Sequence, residues 1–120
     1  MINPASAQNI IKLAALAAIV DGQASDQEKN FIVDEGSYLL RISQDELRFK
    51  LELWIRNYQE KDAPNNPGVA LNLALDALNP LTGPEKHLAF HICEQVIHID
   101  REVKDSELPF FFQLNRIVFS

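Results

Sequence analysis

An all-α fold, a compact bundle of about six helices, is predicted by three observations. Helix-start signatures recur along the chain, each precedes an apolar run at helical spacing, and nowhere do valine and isoleucine alternate with polar residues for as long as a strand requires. The clearest signature is Ser/Thr-x-x-Glu, in which the hydroxyl accepts the third backbone N–H of the helix and the Glu reaches back to the N–H of the cap.

Helix one is expected over about Ala7 to Val20, an apolar stretch carrying Ile10, Ile11, Leu13, Leu16, Ile19 and Val20 and broken only by Lys12. It is too short to span a bilayer and no basic segment precedes it, so direct membrane insertion is not expected and the cytoplasm is the expected location. Helix two, Asp26 to Arg41, follows the pair Ser25 and Glu28, and helix three, Gln44 to Glu60, follows Ser43 and Glu46. In helix three Leu47, Leu51, Trp54, Ile55 and Tyr58 fall on one stripe with Arg48, Glu52, Arg56 and Gln59 away from it, which describes a surface helix with one buried face. Helix four, Pro67 to Leu78, starts with Asn66 as cap and a proline whose missing N–H costs nothing at the first position. Helix five, Pro84 to Ile99, follows Thr82 and Glu85. Helix six is expected from Asp105 to Phe119; Pro109 would remove a backbone hydrogen bond if it lay beyond the first turn, which fixes the start at Asp105 or Ser106. Helices one and six are apolar almost all round, so both should be central, or one of them covers a partner.

With 120 residues, 47% hydrophobic and 23% charged, the chain reads as one domain, 1–120. A domain of this size buries roughly two thirds of its unfolded surface and needs no metal or disulfide staple. The net charge of −6 opposes the phosphate neutralisation that nucleic-acid binding demands. Cys93, the lone cysteine, lies between Ile92 and Glu94 in a helical pattern and reads as a buried or half-buried thiol rather than a nucleophile. A glycine-rich phosphate loop and a nucleophile elbow are both missing from the sequence, so the chain does not look like an enzyme.

When Asp21 is aligned with Asp100, Asp26 meets Asp105, Glu28 meets Glu107 and Phe31 meets Phe110. Each copy joins two apolar segments through an acidic turn, so a pseudo-twofold repeat of helix, acidic turn and helix is expected. The segment Leu16-Ala17-Ala18-Ile19-Val20-Asp21-Gly22, with Glu28 opening the next helix, resembles the TerB-like family. That family is named for tellurite-resistance proteins and includes a domain of some membrane-attached DnaJ-type co-chaperones. Asp100 and Glu107 match the weaker second copy of its motif, although Arg101 stands where Gly is expected. The resemblance covers nearly the whole chain and implies a compact helical bundle, no known catalysis, an acidic surface for a divalent metal, and a role in stress response or protein assembly.

The residues themselves leave the acidic turns open to several readings. Asp21, Asp26, Glu28, Asp100, Glu102, Asp105 and Glu107 could together offer Ca2+ or Mg2+ the several anionic oxygens a hard cation takes. They are not EF-hands, because the twelfth positions are Ile32 and Phe111 rather than Glu. Ordinary capping explains the same residues, with Glu28 in the box of Ser25 and Asp26 and Asp105 at positive helix ends. A basic protein partner is the third reading, and the apolar helix six, with Phe110, Phe111, Phe112 and Phe119, offers a protein-interaction or homo-oligomer surface that needs no metal. In helix five His87, His91, Glu94 and His98 share an arc of roughly 60°. That is a solvated polar face, a pair of imidazoles spaced for one metal ion, or a modest pH sensor; the Glu of a His-Glu-x-x-His protease is absent, since position 88 is Leu.

Overall fold

A computed structural model describes residues 4–19, 25–97 and 116. The described residues form α1 (Pro4–Ile19), α2 (Asp26–Leu40), α3 (Gln44–Glu60), a 3-10 turn (Ala63–Asn65), α4 (Pro67–Leu78) and α5 (Gly83–Ile97), with no strand among them. The expected sixth helix and the second copy of the repeat lie outside the described residues, as do Val20 to Ala24.

α1 is the hub, packed against α2, α3, α4 and α5. Its composition explains the position. Ile10, Ile11, Leu13, Leu16 and Ile19 supply bulk, while Ala14, Ala15, Ala17 and Ala18 let neighbouring helices approach closely, and all of them are buried. The helix runs from Pro4, three residues before the expected Ala7. Proline is suited to a first turn, and Asn3-Pro4 repeats the Asn66-Pro67 signal used for helix four. None of the described helices is long and apolar enough to cross a membrane.

The capping signals place the next two starts at the expected residues. Ser25 Oγ accepts the Glu28 N–H at 3.0 Å and Glu28 Oε1 accepts the Ser25 N–H at 3.0 Å, a complete box. At α3, Ser43 Oγ accepts the Glu46 N–H at 3.2 Å, while the Glu46 carboxylate reaches forward to Lys50 at 3.3 Å. α2 closes on Arg41 in the left-handed region, φ 56°, which turns the chain within three residues into α3. The two helices then lie close enough that Gly36 faces the Leu47 side chain, and Arg48 to Asn30 (3.1 Å) and Lys29 to Glu52 (3.3 Å) bridge them at the surface.

α3 buries Leu47, Leu51, Ile55 and Tyr58 as its stripe requires, with Trp54 half-buried at the edge. The connection from Lys61 to Asn66 contains the 3-10 turn, entered through Asp62 in the left-handed region, φ 61°, and tied by Asn65 Nδ2 donating to Asp62 Oδ1 at 2.9 Å. Asn66 Oδ1 then caps α4 by accepting the Val69 N–H at 3.3 Å. α4 presents Ala70, Ala74, Ala77 and Leu78 to the core, and α5 presents Ala89, Phe90, Ile92, Cys93 and Val96.

Candidate functional site

Two of the seven carboxylates in the acidic turns fall among the described residues. Asp26 is exposed in the first turn of α2. Glu28 is buried at 5% exposure with Oε1 accepting the Ser25 N–H, so a cation at this turn competes with the cap for that oxygen. Asp21, Asp100, Glu102, Asp105 and Glu107 lie outside the described residues. Among the described residues no three His, Cys, Asp or Glu side chains are grouped to hold a metal ion. His87 and His91 are exposed on α5 and Glu94 is half-buried beside them, a solvent-facing stripe opposite Ile92 and Val96, with His98 beyond the described residues.

Cys93 is a core thiol. Its Sγ donates to the Leu13 carbonyl at 3.5 Å, which links α5 to α1, and burial pushes its pKa up to about 12. A thiol held protonated in this way is neither a nucleophile nor a metal ligand at neutral pH. Glu85 is likewise occupied. Its Oε1 accepts the Thr82 N–H at 2.8 Å and it takes a further hydrogen bond from Ser6 of α1, which together hold its carboxyl below the usual carboxylate range.

Polar and aromatic side chains converge elsewhere, in a cleft of about 250 Å³ between α1, α3 and α4. Its lining is Lys12 from α1, Trp54, Tyr58 and Lys61 from α3 and its C-cap, and Leu73, Asp76 and Ala77 from α4. Trp54 and Tyr58, one turn apart, stack with ring centroids 5.6 Å apart and planes at 28°. The Lys12 ammonium sits 4.5 Å from the centroid of the Trp54 ring. That placement gives the interruption of helix one a physical reason: the ring quadrupole attracts the cation while the lysine stem covers apolar surface. Burial, and then the negative charge of Asp76, push the Tyr58 pKa up to about 12, so the phenol keeps its proton throughout the physiological range. Among the described residues, two lysines against one aspartate leave the cleft lining positive, in a chain whose net charge is −6.

No spacing along the sequence announces this cleft. Lys12 in an otherwise apolar helix, and a Trp and a Tyr one turn apart at the edge of a buried stripe, were the available signals, but nothing in the sequence joins them to Asp76. Protein-family models, curated proteins and solved structures were all compared with the chain, and none of them matches it.

Proposed function

We propose that the chain is a non-catalytic, TerB-like module of stress response or protein assembly, working through its surface, with the acidic turns taking Ca2+ or Mg2+. The observation that carries the non-catalytic part is Cys93: its only thiol is sealed between α1 and α5 with its proton held to about pH 12. Glu28 and Glu85 support the same reading, because each is already engaged in closing a helix start. The cation part rests on the duplicated acidic turns of the sequence and on Asp26 standing exposed at the first of them. A titration with Ca2+ and with Mg2+, followed in amide NMR spectra, tests it. Asp21→Asn combined with Asp100→Asn should abolish binding and leave the fold intact.

A second reading is favoured by a specific observation. Tyr38 is 80% exposed, Phe49 70% and Leu53 49%, and Phe49 and Leu53 lie one turn apart on the outer face of α3. Exposed apolar side chains grouped on one face suit a protein-interaction or self-association surface. A sedimentation series over concentration separates the versions, since a chain that remains monomeric at high concentration does not self-associate.

A further inference from the structure

We propose that the cleft between α1, α3 and α4 binds a small aromatic carboxylate, its ring against the Trp54–Tyr58 pair and its carboxylate between the ammonium groups of Lys12 and Lys61. This goes beyond the cation reading and is independent of it, because the cleft shares no residue with the acidic turns.

The size of the cleft sets the first limit. A cleft of about 250 Å³ accommodates a single ring with one short substituent. The walls set the second. The half-buried Trp54 indole is stacked on the buried Tyr58 and has Lys12 over its ring, so a ligand ring meets the pair edge-to-face, a geometry that gains beyond the area it buries. Leu73 and Ala77 add apolar surface on the α4 side.

Charge sets the third. Among the described residues, Lys12 and Lys61 against Asp76 leave one net positive charge on the lining, which matches a monoanion better than a dianionic phosphate. Lys12 is already held in place over Trp54, so a carboxylate meeting it there orders little that is not ordered beforehand. Asp76 makes the cleft selective, because it repels a second negative charge on the ligand.

Trp54 is the only tryptophan in the chain, so its emission reports this cleft alone. The test is a fluorescence titration of the full chain with phenylacetate, beside acetate, benzyl alcohol and benzylamine. Phenylacetate should change the emission saturably, with acetate, which lacks the ring, and benzylamine, which carries the wrong charge, giving no saturable change. Benzyl alcohol should bind at least about tenfold more weakly than phenylacetate. Lys61 and Asp76 are both exposed, so their variants should fold. Lys61→Ala should weaken phenylacetate binding about tenfold, and Asp76→Asn should tighten it. No saturable change with phenylacetate at millimolar concentration overturns the proposal, as does benzylamine binding equally well or Lys61→Ala leaving the affinity unchanged.

Discussion

Gly36→Ala should destabilise the protein, although Gly to Ala in the interior of an exposed helix stabilises by about 1 kcal/mol. Gly36 lies within α2, and a Cβ placed there would meet Leu47 Cδ2 at 2.7 Å, closer than a carbon can stand. Leu47 is fully buried, at 0% exposure, so its methyl has no solvent to swing into and must push its own neighbours. Overpacking of that kind costs about 1–3 kcal/mol. Set against the helix-propensity gain, the expected net loss is about 1 kcal/mol, or about 4 °C in Tm for a domain of this size. Thermal and urea melts followed by far-UV circular dichroism measure it. The sharper arm changes the background. Leu47→Ala alone should cost about 2–5 kcal/mol by leaving a cavity, and in that background Gly36→Ala should become stabilising by about 1 kcal/mol, because the clash has gone. If Gly36→Ala stabilises the wild-type chain as well, and by the same amount, α2 and α3 do not approach each other as described.

Ser25→Ala should cost about 1 kcal/mol by opening a complete capping box, read from the same melts, and unchanged melting would mean that α2 starts elsewhere. Both Cys93 and Tyr58 have folded pKa values of about 12, raised above their ordinary 9.0 and 10.0, so the stability they contribute is full below pH 9 and is lost as pH climbs from there toward 12. Native protein should therefore resist a thiol reagent at neutral pH, and urea midpoints should fall across that alkaline window; rapid labelling of native Cys93 would contradict its burial. Glu85 has the opposite sign: its folded pKa lies below 4.5, so its contribution is present above that value and is lost as pH falls through the folded pKa. Glu85→Gln should flatten the acid limb of the stability profile, and an unchanged limb would show that the Thr82 and Ser6 hydrogen bonds do not favour the ionised form.

Local chemistry made most of the fold legible. The bounds of α3 and α4 coincide with those expected, because Ser43 and Asn66 are unambiguous caps and Pro67 can only open a helix. The expected start of α1 falls three residues late, although Asn3-Pro4 carries the same signal as Asn66-Pro67, because the apolar pattern becomes dense only from Ile10 onward. The 3-10 turn at Ala63–Asn65 has no hydrophobic period to announce it, and its entry depends on Asp62 adopting a left-handed conformation that its residue type permits but does not require. The site was less legible. Glu28 was read both as a cap and as a ligand, and the cap is the role in which its carboxylate stands. The cleft joins α1, α3 and α4, and such a meeting is set by packing rather than by any spacing along the chain.

The acidic turns remain the most direct test of what the chain does. Ca2+ and Mg2+ should be titrated into the labelled chain and the amide shifts followed residue by residue. Saturable shifts confined to residues 20–28 and 100–107, lost in the Asp21→Asn, Asp100→Asn double variant, are the expected result. An absence of shifts at millimolar ion, or shifts scattered over the whole surface, would contradict it and leave those carboxylates as helix caps.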